Sequence, residues 1–195
     1  MLAIVAADAR FWLDQGIALQ HIGVNISSSD FHGPALGERL RTIFGRHGVP
    51  LKHVIIEITE TISLNTQDKS VAQGLQALRD LGLLIALDDF GTGYASLSHL
   101  LTMPADILKI DKSFIDRLSP NESGLAIVEA LIGIAARLDM RVIAEGIESA
   151  SQAAMLSERG CNLGQGYLFS PPVPRSAATE LLVQFAQSPD SDSWI

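Results

Sequence analysis

A run of five apolar residues that ends at two aspartates constrains the fold of this chain more than any other feature. Residues 83–87 read LLIAL and contain no polar side chain, as in a strand that is buried on both faces. Such strands occur in parallel sheets that have helices on both sides. Asp88 and Asp89 follow directly, and then a glycine-bracketed turn at 91–93. Acids at the carboxyl end of a buried parallel strand predict a functional site, and a solvated turn is the alternative interpretation because aspartate is common in turns.

Strand-like and helix-like segments alternate along the rest of the chain. The predicted strands lie at 23–27, 54–59, 83–87, 105–111, 141–147 and 162–169. The predicted helices lie at 2–15, 35–47, 67–81, a short segment before Pro104, 121–139, 150–159 and 175–187. This alternation predicts an α/β domain over residues 1–187, built on a parallel sheet with right-handed crossovers. The polar residues 188–195 are predicted to be a frayed tail.

Two architectures fit this alternation, an open doubly wound sheet and a (β/α)₈ barrel. The functional groups of an open sheet gather at one switch point, whereas every strand of a barrel directs its carboxyl end toward a common centre. Nearly every predicted strand here ends at, or is interrupted by, a residue that is able to take part in catalysis. These residues are Asn25, Glu57, Asp88, Asp89, Lys109, Asp111, Glu145 and Gln165. Their distribution favours the barrel.

The number of predicted strands is too small for a closed barrel. A complete TIM barrel has eight strands and takes about 250 residues, whereas this chain has 195 residues. We therefore expect an incomplete TIM-like barrel with about six of the eight β/α units, the other two preceding the first residue. Open sheet edges and exposed apolar surface favour pairing with another chain, so we expect a homodimer or other self-association.

The composition limits the partners of the chain. Its formal net charge of −8 argues against electrostatic binding to a nucleic acid polymer or to an anionic membrane. An anionic substrate would therefore need a metal ion or a well-placed cation. The single cysteine, Cys161, is predicted to be a small buried side chain and fits a reducing compartment. The sequence shows no secretory signal and no apolar run near the roughly 18 residues of a membrane span, so we expect a cytoplasmic location.

The candidate site residues suit a hard cation. Asn25, Glu57, Asp88 and Asp89 offer only oxygen donors, which Mg²⁺ and Mn²⁺ prefer, whereas zinc favours histidine and cysteine. The five histidines show no paired ligand spacing. Two adjacent carboxylates are able to reach two cations, and two metals about 3.5–4 Å apart are common in phosphodiester hydrolysis. The sequence therefore predicts a two-metal site.

Two further residues have more than one interpretation. Lys109 either orients a metal-bound water or forms an interior salt bridge with one of the acids, and its spacing leaves both open. Glu145 lies inside an apolar run and is costly to bury without a metal, a lysine or a water to satisfy it. Glu60 and Asp111 are predicted to brace loops or neighbouring residues rather than to contact substrate.

Six segments, taken in order, resemble the EAL domain family of bacterial cyclic-di-GMP phosphodiesterases. They cover almost the whole chain, and they are VNIS at 24–27, EITE at 57–60, DDFGTGYASLSHL at 88–100, LKID at 108–111, AEGIE at 144–148 and QGYLFSPP at 165–172. The resemblance implies a modified barrel with one antiparallel strand. It also implies hydrolysis of cyclic-di-GMP to the linear dinucleotide pGpG with Mg²⁺ or Mn²⁺, and inhibition by Ca²⁺.

The resemblance also implies a role for each matched residue. Asn25, Glu57 and Asp88 match metal ligands, and Asp89 matches the ligand of the second metal. Lys109 matches a lysine at the nucleophilic water, and Glu145 matches a further acid at the metals. Gln165 matches a glutamine near the substrate. Glu60 matches a glutamate that braces the loop at 90–98, and that loop couples dimerisation to activity in the family.

One departure from the family leaves two hypotheses. The glutamate of the family's EAL motif, a metal ligand, and an arginine-containing substrate-binding stretch belong to a strand before the region that this chain matches. The chain is then either part of an active phosphodiesterase or an inactive module that binds cyclic-di-GMP or another protein. An unrelated metal-dependent barrel enzyme is disfavoured by the order of the six motifs. We expect the chain alone to show weak or no hydrolysis.

Overall fold

Five parallel strands form one sheet in the computed structural model, which describes residues 1–31, 36–59, 69–91, 97–118 and 123–187. The strands are β1 (Ile22–Asn25), β2 (Val54–Thr59), β3 (Leu84–Phe90), β4 (Ile107–Ile110) and β5 (Arg141–Ala144). Their order in the sheet is their order in the chain, and all four pairings are parallel. Within the described residues β1 pairs only with β2, so the sheet is open. The expected incomplete α/β barrel is confirmed.

Helices connect and follow these strands. They are α1 (Leu2–Asp14), α2 (Ser28–Phe31), α3 (Leu36–Arg46), α4 (Lys69–Asp80), α5 (Leu97–Thr102), α6 (Lys112–Ile115), α7 (Ser123–Arg137), α8 (Ala150–Ser157) and α9 (Arg175–Gln187). All seven predicted helices are present. The sequence does not predict α2 and α6, because four residues are too few to show a helical period. Across the described residues, we find no helix with the length and apolar character needed to span a membrane.

The sheet is apolar on both faces, as the continuous apolar run predicts. One face contributes its side chains to the main core beneath the helices, and they include Ile56, Ile58, Ile85, Leu87, Leu108 and Ile110. The opposite face carries a smaller cluster of Ile55, Ala86 and Ile107, with Leu84 and Ile143 packed against it. The second face is the interior of the partial barrel, and its polar residues lie nearer the carboxyl ends of the strands.

The segment at 162–169 is not the regular sixth strand that the sequence predicts. It joins the β5 edge at a single bridge, between Ala144 and Gly164. Hydrogen bonds continue past the bridge, since the Gln165 amide donates to the Ala144 carbonyl at 2.8 Å and the Ile147 amide donates to the Gln165 carbonyl at 3.1 Å. A Cβ at Gly166 would lie 2.2 Å from the Ile147 carbonyl oxygen. The chain then turns at 166–169, where the Phe169 amide donates to the Gly166 carbonyl at 3.1 Å, so no regular strand continues.

The first and last helices pack against each other. The Trp12 indole donates a hydrogen bond to the Thr179 hydroxyl at 2.8 Å. Arg175 forms an ion pair with Asp8 at 3.0 Å and lies 4.9 Å above the centre of the Phe11 ring. These contacts hold α9 beside α1.

Candidate functional site

The register of the strands places the candidate residues on the interior face. Asn25 on β1 lies opposite Glu57 on β2. Side chains alternate between faces along a strand, so Asp88 shares a face with Ala86, and Lys109 shares one with Ile107. Glu145 follows the last residue of β5 and keeps the alternation, since its amide donates to the Ile110 carbonyl at 3.0 Å. Polar residues from all five strands or their ends thus surround one point.

The buried amine of Lys109 lies at the centre of this group. Its Nζ is 2.9 Å from Glu57 Oε2, 2.8 Å from Asp88 Oδ1 and 2.5 Å from Glu145 Oε1. The interior salt bridge, one of the two interpretations of Lys109, is therefore present with three acids. Burial alone would lower the pKa of Lys109, but attraction to Glu57 and hydrogen bonds to Asp88 and Glu145 outweigh it and raise the pKa above its ordinary value. Lys109 is a permanent cation in this site.

Glu145 is the carboxylate with the strongest conflict between burial and charge. Burial raises its pKa to about 7, although the hydrogen bond and the charge of Lys109 act in the opposite direction. The nearby charges of Asp88 and Glu57 contribute to this rise in pKa. The Gln165 amide donates a second hydrogen bond to Glu145 Oε1 at 2.7 Å. The prediction that Glu145 must be satisfied by a partner is confirmed, and the partners are Lys109 and Gln165.

An irregularity in β3 brings both adjacent aspartates to the site. The sequence predicts that the strand stops before Asp88, but β3 continues to Phe90 with a register shift after Leu87. In a regular strand Asp88 and Asp89 would face opposite sides. Asp89 instead has a left-handed backbone with φ of 54°. As a result, carboxylate oxygens of Asp88, Asp89 and Glu145 lie within 4.8 Å of one another.

The donors in this cluster fit a hard divalent cation. Three carboxylates that converge within 4.8 Å offer only oxygen ligands, and Asp88 is buried while Asp89 and Glu145 are half-buried. Mg²⁺, Mn²⁺ and Ca²⁺ prefer such ligands. Glu57 is linked to this cluster by the hydrogen bond that its Oε2 accepts from Lys109. Asn25 is exposed and lies at the rim, beside Glu57.

Helix α6 braces the loops on either side of the cluster. Asp111 caps it by accepting a hydrogen bond from the Ser113 amide at 2.9 Å, which confirms the predicted structural role of Asp111. The Phe114 ring fills the space where a side chain on Gly91 would be. Lys112 forms ion pairs with Asp116 and Glu148 at 2.6 and 2.8 Å. The short helix thus joins the end of β3 to the loop after β5.

A cleft of about 560 Å³ opens next to the carboxylates. Its lining includes Glu145, Gln165, Tyr167, Lys112 and Glu148. This volume lies within the range that is common for small-molecule sites. Glu60, predicted to brace the loop after the aspartates, lies outside the described residues, as do residues 92–96 of that loop.

The fold and the cluster define an open α/β barrel with an acidic site at the carboxyl ends of its strands. The EAL domain family model matches residues 1–172. The chain therefore belongs to the EAL domain family.

Similar proteins agree with this assignment. The bifunctional diguanylate cyclase/cyclic di-GMP phosphodiesterase MucR of Pseudomonas aeruginosa is 38% identical over 177 residues, which are 91% of this chain and 25% of MucR. The chain spans about a quarter of the length of the curated relatives it matches.

Solved structures of relatives superpose on nearly the whole chain. The EAL domain of Mycobacterium smegmatis DcpA is 34% identical, has a TM-score of 0.88, and is matched over 94% of this chain and 82% of that one. The phosphodiesterase of MucR in complex with c-di-GMP is 36% identical, with a TM-score of 0.84 over 91% of this chain and 71% of that one. A manganese/c-di-GMP complex of Klebsiella pneumoniae BlrP1 is 30% identical, with a TM-score of 0.78 over 89% of this chain and 43% of that one.

The letters E-A-L occur once in the chain, at Glu129–Leu131, but not on a strand. They lie in α7, where the exposed Glu129 accepts a hydrogen bond from Arg159 at 2.8 Å. This glutamate is part of a helix surface. It does not correspond to the strand glutamate of the family motif.

Proposed function

We propose that this chain is the carboxylate-bearing portion of a cyclic-di-GMP phosphodiesterase, which hydrolyses one phosphodiester bond of cyclic-di-GMP to give pGpG. The observation that carries the proposal is that carboxylate oxygens of Asp88, Asp89 and Glu145 lie within 4.8 Å of one another at the carboxyl end of the sheet. The chain that forms this sheet belongs to the EAL domain family. The c-di-GMP complexes of MucR and BlrP1 support the choice of substrate. The cleft beside Glu145 offers room for part of such a ligand.

The proposal assigns the metal ligands as follows. Asn25, Glu57 and Asp88 hold one Mg²⁺ or Mn²⁺ ion, and Asp89 reaches a second. When bound, such ions supply an activated water and stabilise negative charge on the phosphoryl group. Glu57 and Asp88 are already held in place by Lys109, at 2.9 and 2.8 Å. The manganese complex of BlrP1 supports a divalent metal in this family.

The remaining residues act on the water and the substrate. Lys109 carries a fixed positive charge beside the acids, and in the proposed reaction it orients the attacking water. Glu145 is held by Lys109 and Gln165 and presents its carboxylate toward Asp88 and Asp89. Gln165 lies on the wall of the cleft, and in the proposed reaction its amide contacts the substrate. Glu60 is proposed to brace the loop at 90–98, which is proposed to couple dimerisation to activity.

A catalytically inactive module that binds cyclic-di-GMP or another protein is the alternative. The ion pairs of Lys109 favour it, because they give Glu57, Asp88 and Glu145 a cationic partner other than a metal ion. This alternative predicts tight nucleotide binding without turnover.

One experiment separates the two functions. The purified chain is incubated with cyclic-di-GMP and Mn²⁺, pGpG is measured by chromatography, and nucleotide binding is measured by calorimetry. Turnover that Asp88→Asn abolishes and the surface control Glu129→Gln leaves unchanged establishes the phosphodiesterase. Binding without turnover establishes the inactive module. The absence of both binding and turnover would contradict the phosphodiesterase and the nucleotide-binding module, and would leave only the protein-binding form of the inactive module.

Two further features belong to the proposal. We place the protein in the cytoplasm, since its one cysteine is buried and unpaired, as in a reducing compartment. Self-association is proposed because β1 is an open edge in the described sheet and its residues Gly23 and Asn25 are exposed. Light scattering that shows a monomer at high protein concentration would contradict it.

A further inference from the structure

Gly23 occupies an unusual position beside the proposed metal ligands. It lies in the middle of β1, opposite Ile55, and alternation along the strand places it on the same face as Asn25. Its φ is outside the left-handed region, so the backbone there accepts any residue. Glycine is depleted in strands and often marks a place where another group approaches closely.

The group that approaches is the carboxylate of Glu57. A Cβ on Gly23 would lie 2.1 Å from Glu57 Oε1 and 2.9 Å from Glu57 Cδ. Both distances are far below van der Waals contact, so the Glu57 carboxylate occupies the space that any other side chain would need. Its second oxygen, Oε2, accepts the hydrogen bond from Lys109 at 2.9 Å. The carboxylate is thus held between the β1 backbone and Lys109.

We propose that Gly23 is a positioning residue for the metal site: its missing side chain lets the Glu57 carboxylate lie against β1, beside Asn25. A methyl group at this position forces the carboxylate away from β1 or out of its hydrogen bond with Lys109. Either movement shifts the Glu57 carboxylate from its present position relative to Asn25, with which it is proposed to share a cation. This inference rests on the proposed function for the metal, but the displacement of Glu57 occurs with or without metal.

The variant Gly23→Ala tests this inference, with Gly133→Ala as its control. Gly133 lies inside α7, and a Cβ there meets nothing within 4 Å. In chelator, Gly23→Ala should shift the NMR signal of the Glu57 carboxyl carbon, and Gly133→Ala should not. With Mn²⁺, Gly23→Ala should bind the ion about tenfold more weakly than the unaltered chain, and Gly133→Ala should bind it equally well.

The outcomes distinguish this inference from the proposed function. An unshifted Glu57 signal in Gly23→Ala overturns the role of Gly23. If the unaltered chain binds no Mn²⁺, the proposed metal site is wrong, and the NMR shift in chelator still decides the role of Gly23. If the unaltered chain binds Mn²⁺ and Gly23→Ala binds it with the same affinity, the proposed role of Gly23 is also overturned.

A second variant covers the case in which Gly23→Ala does not fold. The double variant Gly23→Ala with Glu57→Asp shortens the acid by one methylene and withdraws it from the added methyl group. This variant should recover the melting temperature that Gly23→Ala loses. Failure of the shorter acid to recover folding shows that glycine is needed for a reason other than Glu57, and it overturns the inference.

Discussion

The two sides of the acidic site differ in how they are held. On the β3–β5 side, Asp88, Lys109 and Glu145 are joined by ion pairs of 2.8 and 2.5 Å, and Lys109 is buried. On the β1 side, Asn25 and Gly23 are exposed at the edge of the sheet. Glu57 belongs to both, because one of its oxygens accepts from Lys109 and the other lies over Gly23.

This difference shows which part of the site is formed by folding and which part needs a ligand. Lys109 is the shared cationic partner of three acids, so its loss leaves all three without that partner. An exposed amide at a sheet edge costs little to move. Loss of the Lys109 amine should therefore change the stability of the fold, whereas loss of the exposed Asn25 side chain should change only what binds there.

The largest effect is expected from Lys109→Met. Removing the amine leaves the buried Asp88 and the half-buried Glu57 and Glu145 as mutually repelling acids, and breaking a buried pair costs about 3–5 kcal/mol. Urea denaturation in chelator measures the loss in the free energy of unfolding. Added Mn²⁺ should restore part of it, because a cation takes the place of the amine.

The matched control for this variant is Lys112→Met. Lys112 also pairs with two acids, Asp116 and Glu148, but all three side chains are exposed. Exposed pairs contribute about 0–1 kcal/mol, so the control should lose little. If both lysine variants lose the same free energy, burial does not distinguish the two sites.

The second prediction separates charge from backbone geometry at Asp89. Asn is nearly isosteric with Asp and tolerates the left-handed backbone that Asp89 adopts, with φ of 54°. Asp89→Asn should therefore keep the fold, relieve the repulsion from Asp88, and weaken Mn²⁺ binding at least about tenfold. Calorimetric titration measures the affinity. Unchanged Mn²⁺ affinity would remove Asp89 from the proposed ligands.

The sequence predicts the site on the β3–β5 side because parallel strands place their carboxyl ends together. The run VIIEIT predicts β2 with the bounds that the structure shows, and Glu57 interrupts it as one of the polar residues that favour the barrel. The spacing of Lys109 and Asp111 indicates that they share a face of the strand, but it does not identify the partners of Lys109. The sequence alone therefore does not decide between a salt bridge and a catalytic role.

Other features depend on contacts between distant segments, which no local pattern contains. The register shift that turns Asp89 depends on the pairing of β3 with β4. The need for glycine at position 23 can be recognised only once the Glu57 carboxylate is known to occupy the space beside it. The segment at 162–169 has the composition of a strand, but it makes a single bridge to the β5 edge and then turns at 166–169.

A smaller effect is expected at the cap of α6. Asp111→Ala removes the acceptor of the Ser113 amide, and loss of such a cap costs about 1 kcal/mol. Thermal melting measures the decrease, and Asp111→Asn, which keeps an acceptor, should recover most of it. Equal losses in the two variants would show that the charge of Asp111, and not its cap, stabilises the loop.

The smallest effect on stability is expected at Asn25, and it tests the β1 side directly. Asn25 is exposed and lies opposite Glu57, so Asn25→Ala should change the free energy of unfolding by less than about 0.5 kcal/mol in chelator. In the proposed site it loses one of the oxygen ligands, so Mn²⁺ affinity should fall while stability does not. The pair of measurements, denaturation in chelator and titration with Mn²⁺, distinguishes a ligand from a structural residue. Equal affinity in Asn25→Ala and the unaltered chain would confine the metal site to the β3–β5 side, where folding alone assembles it.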